Sequence, residues 1–449
     1  MTMKINSASK ILLSLFQYFN ARDIEYCVLG NAAQLPDVID GDVDIVISTT
    51  TFASIALILS EFSNQVKCDI VQELKHEVTA SYYVLSMFDS NNQAVYLHPD
   101  ICSDYYRNSR LLIKAKDILQ SRFIAKSKEG GEKKFYIASP EVEFIYYLIK
   151  KSEKGSIDQE QYNHIKSQYL QMPTACEEIS LRYFSRDEVD SILSALESCK
   201  VDRLFSLLPE LKHSLIDEQK SSWVDVYNDL ARKIKRIVQP TGLIVAFLGP
   251  DGAGKTAIGM RMESDLAPAF RGVSRFHLKP GVLRRHPGVG GVNVENPHSK
   301  PSRGAVASIL KLMYFLGDYI LGFSLRVFPL KIRSHLVIFD RYFHDLLIDP
   351  VRYRYGAPKW IAQFFGLLIP KPDIFIVLDA PADVIQARKQ EVPMEETERQ
   401  RKAYLDFATG REDCIVLDTS VGIDETAYFG NKKVLEFMEN RLAERMKIR

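Results

Sequence analysis

The rhythm of apolar and polar positions changes along the chain. Through about residue 120, helical spacing is mixed with short β-branched and aromatic runs, Glu25 to Leu29, Asp44 to Ile47, Ser81 to Met87 and Ala94 to Leu97, an α+β pattern. The opening MTMKINSASKILLSLFQYF reads as an amphipathic helix, with no small-residue cleavage site after it. From about Ser139 to Val238 the strand signals fade, and Pro140 to Lys151, Arg186 to Lys200 and Ser222 to Ile237 carry apolar residues at helical spacing. A Gln239-Pro240-Thr241-Gly242 turn then leads into the apolar strand Leu243 to Leu248. Beyond it, the runs Leu336 to Phe339, Ile374 to Leu378 and Ile415 to Leu417 alternate with helical segments, as in a parallel sheet with crossover helices. The pattern predicts an α+β domain over 1–120, a helical linker domain over 121–238 and an α/β domain with a parallel sheet over 239–449. Ile309 to Leu330 is apolar but broken by Lys311, Asp318 and Arg326, so a half-buried helix pair is expected there rather than a membrane span.

The length of 449 residues agrees with about three domains. Lys plus Arg number 58 against 57 Asp plus Glu, so no overall field draws the chain to nucleic acid, and any charged patch must be local. The densest is the Gly/Pro-rich stretch 271–304, with Arg271, Arg275, Lys279, Arg284, Arg285, Lys300 and Arg303 against Glu295 alone. That stretch suits an anionic acceptor or a solvated loop. The six cysteines are scattered, with neither disulfide nor zinc spacing, which fits a reducing cytoplasm.

After Leu243 to Leu248 comes Gly249-Pro250-Asp251-Gly252-Ala253-Gly254-Lys255-Thr256, then a helix-compatible run. Glycines there let backbone N–H groups turn inward as a nest for phosphate oxygens at the positive end of the helix. Lys255 would bring charge to the outer phosphates of ATP, and the Thr256 hydroxyl could ligate Mg²⁺. The strand ending in Asp340-Arg341-Tyr342 puts an acid and a guanidinium at the same sheet edge: Asp340 for Mg²⁺, Arg341 for a second phosphate. Arg352 and Arg354, interleaved with Tyr353 and Tyr355, could add anion and ring contacts.

The GPDGAGKT loop, the FDRY strand end and PDIFIVLDAPADVIQARKQE resemble the thymidylate kinase family of P-loop nucleotide kinases over residues 242–449. The resemblance implies ATP and Mg²⁺, places Arg341 on the acceptor phosphate and Asp251 on the acceptor sugar, and makes Arg388 the lid arginine, with Arg399 and Arg401 as substitutes. Two departures stand out. Phe276 to Gly281 replaces the family's Arg-Glu-Pro-Gly-Gly motif, and FHDLLIDPVRYRYG replaces its Ser-rich, Gln-bearing base-recognition stretch. Divergent kinases of this type with an amino-terminal domain attached resemble proteins of bacterial surface-polysaccharide loci.

Residues 26–47 place Asp42 and Asp44 on one strand face, about 7 Å apart along the strand, where they repel unless a cation joins them. Gly30-Asn31 followed by Asp42-Val43-Asp44, with Asp100 on a later strand and Asp104 in reserve, resembles the nucleotidyltransferase superfamily, which implies an amino-terminal Mg²⁺ site. The leading expectation is an ATP- and Mg²⁺-dependent phosphotransferase of the nucleoside monophosphate kinase type acting on a small phosphorylated acceptor. The alternatives are a sugar-phosphate or glycan-precursor kinase, a nucleotidyltransferase acting through Asp42, Asp44 and Asp100, and a noncatalytic nucleotide-gated binding protein. A homodimer is compatible with each reading; a nucleic-acid partner is not expected.

Overall fold

The computed structural model describes residues 7–30, 32–107, 109–126, 132–218, 223–283, 301–390 and 392–447. Asn31 of the amino-terminal turn, and Arg284, Arg285, Glu295 and Lys300 of the basic stretch, lie outside them. The chain divides into two compact units, one of residues 1–89, 95–235 and 442–449, the other of residues 90–94 and 236–441.

The first unit is built on an eight-stranded sheet. Its strands are β1 (Tyr26–Leu29), β2 (Val43–Ile47), β3 (Asp69–Glu77), β4 (Ala80–Phe88), β5 (Ala94–Leu97), β6 (Pro99–Cys102), β9 (Phe123–Lys126) and β10 (Glu132–Ile137). They run in the order β3-β4-β6-β2-β1-β10-β9, with β5 on β4, while β7 (Tyr105–Arg107) and β8 (Arg110–Ile113) form a separate hairpin. The boundary expected at residue 120 falls inside this sheet, because β9 and β10 follow it. The opening helix α1 (Ser7–Ala21) buries Ile11, Leu12, Leu15, Phe16 and Phe19 in a core with Tyr26, Val28 and Ile45 of the strands.

Helix α2 (Pro140–Lys154) starts on a proline at its first turn, carries Glu141 and Glu143 near its positive end, and stops at the left-handed Gly155. Its Phe144, Ile145 and Leu148 share one apolar cluster with Cys27, Leu29 and Val46 of the strands and with Ile192, Leu196 and Leu204 of later helices. The helical segment therefore completes the first unit: short helices each carrying one apolar stripe need a sheet face to cover it.

In the second unit, β11 (Leu243–Leu248), β12 (Gly272–His277), β13 (His335–Asp340), β14 (Ile374–Asp379) and β15 (Cys414–Asp418) form a parallel sheet in the order β12-β13-β11-β14-β15. All six residues of central β11 are buried, as expected of a strand covered on both faces. The helices that matter for the site are α3 (Lys255–Leu266), α4 (Ala305–Gly322), α5 (Phe343–Ile348), α6 (Ala382–Arg388) and α7 (Met394–Ala408).

The expected helix pair over Ile309 to Leu330 is α4 continued through a π-type turn (Phe323–Val327) into a short helix (Phe328–Ile332). By length and composition alone, Ala305–Ile332 could cross a membrane. Leu312, Phe315, Tyr319 and Val327 nevertheless pack in the sheet's core, and Asp318 is fully buried, accepting from the N–H groups of Gly281 and Leu283 at 2.8 Å each.

Candidate active site

β11 ends in the phosphate-loop segment, and α3 begins at Lys255 with Gly254 as its left-handed cap. Gly249 has φ 144°, and a Cβ there would lie 2.5 Å from the carbonyl oxygen of Leu378 on β14. Gly252 has φ 89°, and its Cβ would lie 2.9 Å from the carbonyl oxygen of Ile385 on α6. Both positions require glycine on conformation and on space. The loop thus packs tightly at backbone level against the ends of two other elements.

β13 pairs with β11 so that Asp340 stands beside Phe247, bringing the Asp340-Arg341 corner to the mouth of the loop. Arg341 follows in the left-handed region (φ 68°), and its N–H donates to the Phe247 carbonyl at 3.0 Å. A non-glycine residue held there is locally strained, a feature that concentrates at functional sites.

The side chain of Arg341 is nearly inaccessible and reaches two carboxylates, donating to Asp345 at 2.6 Å and to Asp251. Arg352 donates to the other oxygen of Asp251, while Lys255 stands 3.5 Å from the oxygen that Arg341 holds. Lys255 also donates to the carbonyls of Gly249 and Pro250 at 2.9 and 2.8 Å. Burial, reinforced by Arg341, lowers the Lys255 pKa to about 8 against the opposing pull of Asp251, Asp345 and Asp340. Burial also opposes the charge of Arg341, but Asp345 and Asp251 hold its pKa above the ordinary value.

Asp345 is the anchor that the sequence did not announce. It is fully buried and accepts from Arg341, from the Tyr353 hydroxyl at 2.7 Å and from the Tyr404 hydroxyl. Burial would raise its pKa; Arg341 and the two tyrosines outweigh that and lower it. Its separation of four from Arg341 was a readable signal. Tyr404, 59 residues away, left none.

Other expected residues lie apart from this cluster. Arg354 donates to the Pro301 carbonyl at 2.9 Å and makes no hydrogen bond to Asp251. Arg388, at the end of α6, donates to the hydroxyl and carbonyl of Thr419 at 3.0 and 2.7 Å. Its substitutes are paired: Arg399 with Glu396, and Arg401 in a fork on Asp379 at 2.8 and 2.9 Å. Thr256 is exposed in the first turn of α3, and the partly exposed Asp340 faces His277 at 3.9 Å.

In the first unit, Asp44 and Asp100 are register partners on β2 and β6, and Asp42 precedes β2. Lys150 of α2 donates to Asp44, and His76 stands 3.6 Å from Asp100. Burial works against the Lys150 charge, but Asp44 prevails and raises its pKa. Partial burial raises the Asp42 pKa, with His98 opposing and Asp44 adding to it. Beside the strands, Gly30 N–H donates to the buried Glu143 at 2.8 Å, and His164 faces the same carboxylate at 3.0 Å. Among the described residues no group of three or more His, Cys, Asp or Glu side chains is placed to hold a metal. Asp42, Asp44 and Asp100, the residues expected to carry an amino-terminal Mg²⁺, thus lie on neighbouring strand positions with Lys150 on one oxygen of Asp44.

A parallel sheet whose central strand feeds a glycine-rich loop and a helix, with Lys255 and Arg341 at the loop's mouth, is the arrangement of a P-loop α/β domain. In sequence the chain is similar to thymidylate kinases, at 28% identity over 153 residues for that of Xanthomonas oryzae pv. oryzae and 27% for that of Xanthomonas euvesicatoria pv. vesicatoria. These alignments take in 34% of this chain and 62% of the relatives' length. No protein-family model matches. Among solved structures, Ehrlichia chaffeensis thymidylate kinase aligns with 44% of this chain and 100% of its own (21% identity, TM-score 0.32). Candida albicans thymidylate kinase aligns with 44% and 93% (14% identity, TM-score 0.32).

Proposed function

We propose that the second unit is an ATP- and Mg²⁺-dependent phosphotransferase of the nucleoside monophosphate kinase type, moving the γ-phosphoryl of ATP to a phosphorylated small acceptor. The observation that carries this reading is the meeting of Lys255, Arg341 and Arg352 around Asp251 at the carboxyl edge of β11 and β13. Similarity to thymidylate kinases over a third of the chain supports it.

In this reading the loop amides and Lys255 bind the ATP phosphates, Arg341 and Arg352 hold the acceptor phosphate, and Asp251 positions the acceptor between them. An acceptor phosphate oxygen attacks the γ-phosphorus, the bond to the bridging oxygen breaks, and ADP leaves. Asp345, Tyr353 and Tyr404 orient Arg341 without touching substrate. Thr256 and Asp340 would hold Mg²⁺, which neutralises charge on the phosphoryl oxygens when bound. Arg388 would approach ATP from the end of α6, releasing Thr419.

Lys255→Ala is the test. ADP formation coupled to acceptor phosphorylation should fall by about three orders of magnitude, with the thermal midpoint retained. Undiminished transfer by that variant overturns the reading. Release of pyrophosphate in place of ADP would assign the chemistry to nucleotidyl transfer.

A further inference from the structure

Arg303, Lys311 and Arg354 meet beside the proposed acceptor site, and their hydrogen-bond partners are backbone carbonyls. Arg303 and Lys311 both donate to the Tyr353 carbonyl at 3.0 Å, and Arg354 donates to the Pro301 carbonyl at 2.9 Å. Among the described residues no carboxylate pairs with any of the three. Three half-buried like charges repel one another and have lost part of their hydration. The response is visible at Lys311, whose pKa falls to about 8 through burial and then through Arg303 and Arg354.

The placement adds to the imbalance. These cations lie around the start of the 18-residue helix α4, the positive end of its dipole, and the first turn of that helix has no acidic residue. Cations are ordinarily favoured at the opposite end. The backbone is nonetheless held firmly: Gly356 N–H donates to the Ser308 hydroxyl at 3.0 Å, and Arg303 N–H donates to the Arg354 carbonyl at 3.0 Å. Only glycine fits at 356, where a Cβ would run into the Arg303 carbonyl. Three cations held this firmly on two segments form a positive cluster that an anion would neutralise.

Tyr353 fixes where that anion lies. Its hydroxyl binds Asp345, the anchor of Arg341, while its carbonyl receives Arg303 and Lys311. The cations are therefore one tyrosine away from the acceptor clamp, and the neighbouring Arg352 belongs to that clamp.

We propose that Arg303, Lys311 and Arg354 bind a second anionic group, phosphate or carboxylate, carried by the acceptor at the end remote from the phosphate that is phosphorylated. The inference rests on the phosphotransferase reading for its acceptor and on the cation geometry for the site itself. It makes the acceptor a doubly anionic small molecule, in place of a nucleotide with a neutral base at that position.

The site is tested first with inorganic pyrophosphate, by calorimetric titration of the full chain. A binding event retained in Lys255→Ala should weaken about tenfold or more in the double variant Lys311→Met/Arg354→Met and persist in Lys311→Arg. Equal pyrophosphate affinity in the parent and the double variant overturns the site. If the double variant does not fold, the single variants Lys311→Gln and Arg354→Gln carry the same comparison.

The second arm uses ATP with matched acceptors bearing one or two anionic groups. The double variant should raise KM about tenfold for the doubly anionic acceptor only, leaving KM for ATP unchanged. An equal effect on both acceptors overturns the acceptor assignment. Pyrophosphate binding as expected without transfer to any acceptor keeps the anion site and sinks the phosphotransferase reading.

Discussion

Asp251 in the second unit and Lys150 in the first are mirror images in charge. Asp251 is one carboxylate among three cations, Lys255, Arg341 and Arg352; Lys150 is one ammonium on Asp44, with Asp100 at the register position beside it and Asp42 two residues before. Three cations converging on one carboxylate at a sheet edge are an offer to a polyphosphate. A surplus of negative charge would be an offer to a divalent cation, but here α2 reaches across and supplies the cation from within. Position at a strand end therefore says less about function than which charged groups reach it from other elements.

The contrast can be broken from either side. The largest expected effect is at Arg341: Arg341→Met should lower kcat/KM for transfer by about two to three orders of magnitude, most of it through the acceptor, measured as initial rates with acceptor varied. A loss confined to KM for ATP would remove Arg341 from the acceptor side. Next is Asp345→Asn, which leaves a buried guanidinium without its full counter-charge. It should cost about 3–5 kcal/mol of stability, read by urea unfolding, whereas unchanged stability would deny Asp345 its anchoring role.

On the other side, Lys150→Ala should expose the carboxylates of the first unit and tighten Mn²⁺ binding to nucleotide-free protein about tenfold, detected by titration. The same Mn²⁺ affinity in parent and variant would show that the ammonium does not guard them.

The smallest effect is a proton. The folded Lys255 pKa of about 8 lies below the ordinary 10.5, so the unfolded chain holds this proton to higher pH than the folded one. The stability this group contributes is fully present above about pH 10.5 and is lost as pH falls through about 8. A bound polyphosphate restores the charged form. ATP binding above about pH 8 should therefore take up a fraction of a proton, visible as a dependence of binding enthalpy on the ionisation heat of the buffer. Buffer-independent enthalpies there would place the ATP phosphates away from Lys255.

The strand, loop and helix around Gly249 to Thr256 were legible because all three are contiguous and each residue type has one dominant use there. The Asp340-Arg341 corner was legible because β13 ends on it. What the sequence concealed lies in long-range partners: Tyr404 closing on Asp345, Lys150 reaching Asp44 across 106 residues, and Thr419 holding Arg388. Alternation along β2 showed that Asp42 and Asp44 need a cation but not which one. The helices after Ser139 looked self-contained in periodicity, yet their apolar stripes are finished by residues of β1, β2, β4, β6 and β8, a matter of packing that spacing does not encode.

At Gly252 the loop presents bare backbone to the last turn of α6, where the Ile385 carbonyl would meet any added carbon. Helix and loop are fitted to one another at this point without room for a methyl group. An alanine at 252 would therefore have to push aside the helix from whose end Arg388 reaches Thr419.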